Sequence, residues 1–502
     1  MKLSIPSRNV SCEIREGETL LAALARSGIP LSAPCGGRGL CGKCRVMSDG
    51  KSLLACRTVP SRDINVELPA DGITGTPAPD LHGRTGRAEK RRPAEAVRAG
   101  AGIDIGTTTV SAELVDLDTG ETLETVSALN DQRIFGADVM SRIDAARKGK
   151  TGELFSLINR QIETMLRAFI DSHTLPVIER ISVSGNTVML HLFTNTDPSA
   201  MGEIPFTPVF LDERRFWGKE LSLSVNEVYL PPGIAAFVGG DIVSGLAVLD
   251  MLALPEKSLF IDIGTNGEMA LWSGGRIRCC STAAGPAFEG AEISCGMGAL
   301  PGAINRVTVD PPRPGAAGLP EQKGNPRITT IDNAPPKGIC GCGLVDAVAA
   351  MLKTGAIDET GALADEFADG WPLWSSGSGN STIRLSGRDV RQYQLAKSAI
   401  RSGIQLLCAA EGLAPGELDT VYIAGGLGFF IDPENAIATG ILPEEFRGKT
   451  AVCGNLSLRG AVRNLTCERF AETCRRIRAK SETLELASVP GFMDAFAENM
   501  LF

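Results

Sequence analysis

The sequence has no run of eighteen or more apolar residues, and its first stretch, MKLSIPSRNVSCEIREGETL, has no apolar segment behind a basic start. Neither a membrane-spanning helix nor a secretory leader is therefore expected, and the expected location is the cytoplasm. A basic excess is also lacking. The formal net charge of −9 argues against nucleic-acid binding as the main business of the chain. The three histidines, His82, His173 and His191, are too few and too scattered to form a catalytic set. Fourteen cysteines in 502 residues are too sparse for a disulfide scaffold. What remains is ordinary globular composition, 43% hydrophobic and 22% charged, on a chain long enough for several domains.

Four cysteines do cluster, within 22 residues: Cys35, Cys41, Cys44 and Cys56 in PCGGRGLCGKCRVMSDGKSLLAC, spaced C-x5-C-x2-C-x11-C. Thiolates favour soft metals, and an iron–sulfur cluster needs four of them on a loop whose backbone also approaches the sulfurs. Gly36, Gly37, Gly39 and Gly42 permit that approach because they carry no Cβ. A structural zinc site also accepts four thiolates, but it usually draws on two CxxC pairs and this segment has one. Around the cysteines, KLSIPS and SCEIRE alternate like two strands, ETLLAALARSGI has helical apolar spacing, and INVELP reads as a closing strand. Cys12 falls outside the cluster pattern and reads as a structural or free thiol.

This order resembles a β-grasp [2Fe–2S] ferredoxin, and the residues resemble the N-terminal domain of the reductive activators of corrinoid proteins. The eleven-residue gap before Cys56 matches that group better than plant-type ferredoxins. Residues 71–98 then lose all apolar periodicity and are rich in Gly, Pro and Arg, as in a linker. Arg84, Arg87, Lys90, Arg91 and Arg92 read as a solvated charge run, with a docking patch for an acidic partner as the alternative.

Directly afterwards, AGIDIGTTTVSAELVDLDTGE is an apolar strand, an aspartate, a Gly-Thr-Thr-Thr turn and a second strand. A tight turn after a strand can aim N–H groups and hydroxyls at phosphate oxygens, through Gly106, Thr107, Thr108 and Thr109, while Asp104 holds a hydrated Mg²⁺. The same grammar recurs 158 residues later in SLFIDIGTNGEMALW, with Asp262, Gly264, Thr265, Asn266 and Gly267. Two such lobes can grip one nucleotide and close to exclude water.

The pair resembles the two phosphate motifs of the superfamily of acetate and sugar kinases, actin and the large heat-shock chaperones. VYIAGGLGFFIDPENA resembles that superfamily's adenosine motif, with Gly425, Gly426 and Gly428 against base and ribose. PPGIAAFVGGDIVSGLAVLDM and GNLSLRGAVRNL take the places of the two connecting helices. The resemblance implies that Asp241 positions the attacking water; an N-cap on DIVSGLAVL is the competing reading. Glu289 fits either a contact to ribose or phosphate-bound metal, or a structural cap. Cys279, Cys280, Cys295, Cys340 and Cys342 read as compact buried residues, with a second metal site or redox switch as the alternative.

NDQRIFGADVMSRI, ISVSGNTVMLHLF, STAAGPAFEGAEISCGMGALPGAI, GICGCGLVDAV and DVRQYQLAKSAIRSGI extend the resemblance to the corrinoid activators across most of residues 100–502. Asp131, Cys342 and Leu427 stand where proline, serine and phenylalanine are usual, and there is little room for the separate middle domain of longer members. These departures bear on partner choice rather than on nucleotide binding.

The expected fold is thus α/β and multidomain: a β-grasp ferredoxin domain (1–70), a flexible linker (71–98), and a two-lobed actin-like, ribonuclease H-like ATPase domain divided into 99–255 and 256–502. The expected cofactors are a [2Fe–2S] cluster on Cys35, Cys41, Cys44 and Cys56, with ATP and Mg²⁺ bound through Asp104 and Asp262. The resemblance implies one-electron reduction of an inactive Co(II) corrinoid protein to Co(I), the partner being a corrinoid iron–sulfur protein or a methyltransferase's corrinoid subunit. A plant-type [2Fe–2S] centre works near about −400 mV. Each further 100 mV demanded by the acceptor costs roughly 2.3 kcal/mol per electron, so ATP would drive the uphill transfer. An upstream electron donor and homodimerisation are also implied. A metabolite kinase and a non-catalytic nucleotide-binding redox sensor are the rival readings; the first leaves the ferredoxin domain without a role.

Overall fold

Leu3 and Ile5 alternate with polar neighbours, and that period of two buries both under one face of β1 (Lys2–Ile5). The computed structural model describes residues 1–6, 10–15, 17–27, 29, 31, 44–68, 97–309, 326–376, 382–427 and 430–502. Cys35, Cys41, the 84–92 charge run, all but the last two residues of the expected linker, and Gly428 lie outside them. Strand β1 pairs antiparallel with β2 (Val10–Glu13), and α1 (Leu20–Arg26) adds Leu20, Leu21 and Leu24 to the same core. The hairpin of β3 (Arg45–Ser48) and β4 (Lys51–Leu54) turns at Asp49 and Gly50, both left-handed. The module closes with β5 (Ile64–Asn65), parallel to β1. Strands, helix and closing strand follow in the expected β-grasp order.

The next sheet begins with an antiparallel meander, β6 (Ala99–Ile105), β7 (Thr109–Asp116) and β8 (Thr122–Leu129). Six of the seven residues of β6 are buried, as a strand covered on both faces requires. Helices α2 (Val139–Ala145) and α3 (Thr151–His173) follow, the latter burying Leu154, Ile158, Ile162, Leu166 and Phe169 at helical spacing. Then β9 (Ile178–Gly185) returns parallel to β6, α4 (Thr187–Phe193) starts at an Asn186 cap, and β10 (Arg214–Trp217) and β11 (Val225–Leu230) complete the sheet before α5 (Gly240–Val248). The strand order is β10-β11-β9-β6-β7-β8.

The pattern then repeats. A second meander, β12 (Ser258–Ile263), β13 (Gly267–Ser273) and β14 (Arg276–Thr282), is followed by a small sheet of β15 (Ala303–Val309), β16 (Pro326–Thr330) and β17 (Gly338–Ile339). Helix α6 (Gly341–Thr354), the pair β18 (Trp371–Ser375) and β19 (Thr382–Leu385), and α7 (Gly387–Ala410) come next. A reciprocal Ser386–Asp389 capping box starts α7. Then come β20 (Thr420–Ala424), α8 (Pro433–Ala438), β21 (Thr450–Gly454), α9 (Leu456–Thr466), α10 (Phe470–Lys480), β22 (Ser481–Thr483) and α11 (Phe492–Glu498). Strand order β21-β20-β12-β13-β14-β22 reproduces the first sheet's arrangement of a meander flanked by two parallel strands.

By packing, the chain separates into Met1–Ser244 with Ser457–Arg475, and Gly245–Leu456 with Arg476–Phe502. The changes of unit at 244/245 and 456/457 fall inside helices, α5 and α9. Within the first unit, Gly460 of α9 lets the backbone press against Ser244 of α5, where a Cβ would stand 2.5 Å from the serine Cβ. Among the described residues, no helix is long and apolar enough to cross a membrane. Gly460→Val is expected to destabilise the first unit by about 1–3 kcal/mol through overpacking, measured as a lower melting temperature of the full chain.

Candidate functional site

Among the four clustered cysteines, Cys44 and Cys56 are described. Their Sγ atoms stand 3.2 Å apart, far beyond the roughly 2.05 Å of a disulfide. Cys44 is buried at the start of β3 and Cys56 follows β4, so the hairpin brings the two thiols together. Two converging thiols fit a soft metal centre, and Cys35 and Cys41 would complete the donor set.

The turn expected to be the first phosphate loop joins β6 to β7. Ile105 pairs with Val110, leaving Gly106, Thr107, Thr108 and Thr109 as the turn. The Gly106 N–H donates to the Thr109 carbonyl at 2.9 Å, a turn so tight that a Cβ on Gly106 would stand 2.7 Å from that oxygen. The Asn186 amide donates to the Thr107 hydroxyl oxygen at 3.2 Å, which leaves the hydroxyl proton to point elsewhere.

Asp104 ends the strand behind this loop. Its Oδ1 accepts the Ser457 hydroxyl at 2.7 Å, and Ser457, Ser184 and Ser244 form a chain of hydroxyl oxygens with spacings of 3.0 and 3.3 Å. All three serines are buried. Asp241 sits inside the first turn of α5 rather than at its N-cap, and its Oδ1 accepts the neighbouring Ile242 N–H at 2.8 Å. Part of its surface is open, yet its carboxyl is densely packed round. Burial first, and then the Asp104 charge, push the Asp241 carboxyl up to about 7. Among the described residues no group of three acidic, histidine or cysteine side chains gathers on a metal. Asp104 beside the first turn is a donor of the kind hydrated Mg²⁺ takes, since that ion keeps most of its water and asks for one or two carboxylates.

The second phosphate loop, between β12 and β13, is one residue shorter: Ile263 pairs with Gly267, leaving Gly264, Thr265 and Asn266. Gly264 N–H donates to the Asn266 carbonyl at 2.9 Å, and the Asn266 amide donates to Glu268 at 3.1 Å. Here the Thr265 hydroxyl donates to Glu289, so its oxygen offers lone pairs instead of a proton. Glu289 is thereby tied to the loop and does more than cap its own turn. Gly425, at φ +91°, lies directly over Asp262, so that any Cβ would collide with the aspartate Oδ1. Gly426 has open space on its Cβ side.

Four of the five cysteines read as compact buried residues fit that reading, while Cys295 is only partly buried. Cys279, Cys280, Cys340 and Cys342 are buried, and burial pushes the Cys279 thiol up to about 12 and the other three above their ordinary range. His191 is structural: burial drives it down to about 4, its Nδ1 lies 2.8 Å from the Thr187 carbonyl, and its Nε2 accepts the Val209 N–H at 3.0 Å. Sequence reasoning passed over Ser457, Ser184, Asn130 and Asn186. All four lie in or beside segments quoted for the resemblance, but no spacing rule connects residues as distant as 104 and 457.

A ferredoxin module ahead of a duplicated phosphate-loop fold defines an iron–sulfur protein with an actin-like domain. Residues 4–61 match the model of the 2Fe-2S iron-sulfur cluster binding domain, 99–253 that of the RACo middle region, and 256–502 that of the C-terminal, ASKHA domain of RACo. The middle-region match corrects the expectation that the chain has little room for such a region. The corrinoid activation enzyme RamQ of Eubacterium limosum is 31% identical over 436 residues, 80% of this chain and 70% of that protein. The [Co(II) methylated amine-specific corrinoid protein] reductase of Methanosarcina barkeri is 33% identical over 382 residues, 72% of this chain and 68% of that protein. The solved structure of a reductive activator for corrinoid,iron-sulfur protein superposes with a TM-score of 0.73 at 28% identity, covering 100% of this chain and 98% of that one. This chain belongs to the family of reductive activators of corrinoid proteins.

A carboxyl raised to about 7 in the folded protein, against about 4 unfolded, binds a proton on folding between those values. Stability therefore falls as pH rises through that window. In nucleotide-free protein Asp241→Asn is expected to leave the melting temperature nearly unchanged at pH 4 and to raise it at pH 8.

Proposed function

We propose that this chain is an ATP-dependent enzyme that returns an inactive Co(II) corrinoid protein to Co(I), one electron per event. The observation that carries the reading is the presence of ferredoxin-type cysteines and two loops of phosphate-binding type in one chain, supported by similarity to relatives named a corrinoid activation enzyme and a corrinoid protein reductase. A [2Fe–2S] cluster, bound through Cys35, Cys41, Cys44 and Cys56, supplies a one-electron store near about −400 mV.

The chain's own residues supply the coupling. Gly106, Thr107, Thr108 and Thr109 of one loop, and Gly264, Thr265, Asn266 and Gly267 of the other, bind the phosphates of ATP. Asp104 and Asp262 hold hydrated Mg²⁺, which offsets phosphate charge. Gly425, Gly426 and Gly428 receive the adenosine. Asp241 orients the attacking water and accepts its proton, a task suited to a carboxyl that titrates near neutrality. Binding and hydrolysis favour conformations that dock the corrinoid partner and release it reduced. A cytoplasmic location, an upstream donor that reloads the cluster, and a homodimer complete the proposal.

The test is anaerobic reduction followed by visible spectroscopy of a Co(II) corrinoid protein with and without ATP. Co(I) is expected to appear only with ATP, and a reducible protein that generates none across several corrinoid partners would sink the reading. Cys41→Ser is expected to abolish cobalt reduction while ATP still binds. Gly425→Ala, by driving Cβ into Asp262, is expected to weaken ATP binding at least tenfold while the cluster still reduces.

A further inference from the structure

The segment NDQRIFGADVMSRI, residues 130–143, carried part of the family resemblance without any assigned task. It forms the wall behind the first phosphate loop. The Asn130 amide donates to the Gly106 carbonyl at 2.8 Å, and the Asn130 backbone N–H to the Thr108 carbonyl at 2.8 Å. Between them, the Arg142 guanidinium donates to the Thr107 carbonyl. Three consecutive carbonyls of the loop are thus engaged from one side.

Arg142 has no exposed surface, and its guanidinium also reaches the Gln132 amide oxygen at 3.3 Å and the Gly136 carbonyl at 3.5 Å. The local chain is shaped to deliver it. Gly136 adopts φ +140° where a Cβ would strike Ser141, and Asp138 caps α2 by accepting the Ser141 N–H at 2.8 Å. Burying a guanidinium is costly, and an apolar side chain of similar volume would serve for packing alone. What the guanidinium adds is a planar fork that can hold several carbonyls at once, and a positive charge behind the loop.

We propose that Arg142 is a positioning residue for the phosphates of the bound nucleotide, acting through the first phosphate loop, an inference that rests on the ATP-binding reading above. Carbonyl oxygens repel phosphate oxygens. With Gly106, Thr107 and Thr108 all held by their carbonyls, the peptide planes of the loop are fixed and its acceptors are withdrawn from an incoming anion. Without Arg142, Asn130 still holds the Gly106 and Thr108 carbonyls, but the Thr107 carbonyl loses the guanidinium that engages it.

The test compares ATP, ADP and adenosine binding to the full-length protein by calorimetry. Arg142→Met is expected to weaken ATP binding at least tenfold and ADP binding less, while adenosine binding stays within twofold, a pattern that general unfolding does not produce. Arg142→Lys keeps a cation but not the fork, and is expected to lose about threefold to tenfold in ATP affinity. It also serves as the second variant if the Met protein does not fold. Folded variants that bind ATP within twofold of wild type, or that lose ATP and adenosine equally, would overturn the proposal. Wild-type protein that binds no ATP would instead overturn the function proposed above, and this inference with it.

Discussion

Asp241 lies buried within reach of the Asp104 charge, and burial first and then that charge raise its carboxyl above the ordinary range. Like charges in such surroundings cannot both ionise cheaply, so the arrangement holds only because the backbone leaves little choice. Asp104 is fixed at the end of a buried strand, and Ser457 donates to it from α9. Asp241 is fixed in the first turn of α5, whose later residue Ser244 packs on Gly460 of the same α9.

The duplicated loops are similar in path and different in chemistry. The first has four turn residues and is backed by donors, the amides of Asn130 and Asn186 and the guanidinium of Arg142. The second has three, and its Thr265 hydroxyl is committed to a carboxylate, Glu289. A loop backed by donors is suited to anions. In the second loop the Thr265 hydroxyl proton is committed to Glu289, so the backbone N–H groups remain its donors. Duplication therefore supplied two copies of one turn, and the neighbours of each turn set its polarity.

Cysteine chemistry divides in the same way, by surroundings rather than by residue type. Cys44 and Cys56 are brought together by a hairpin, whereas Cys279, Cys280, Cys340 and Cys342 are buried in the second unit with their thiols held protonated. The first pair suits metal and the others suit packing.

The sequence by itself determined the parts whose chemistry is local: the cysteine spacing, the two strand-turn-strand phosphate loops, the glycines after β20, and the strand and helix order of the ferredoxin module. Each is written in contiguous residues, so spacing alone reveals it. Only the tertiary structure decided that Ser457 meets Asp104, that Gly425 lies over Asp262, that Glu289 takes the Thr265 proton, and that Arg142 stands behind Thr107. It also decided that Asp241 belongs to the first turn of α5 and not to its cap. The physical reason is that the polarity of a turn depends on which donors and acceptors engage its peptide groups, and sheet topology brings those groups together from positions far apart in the chain.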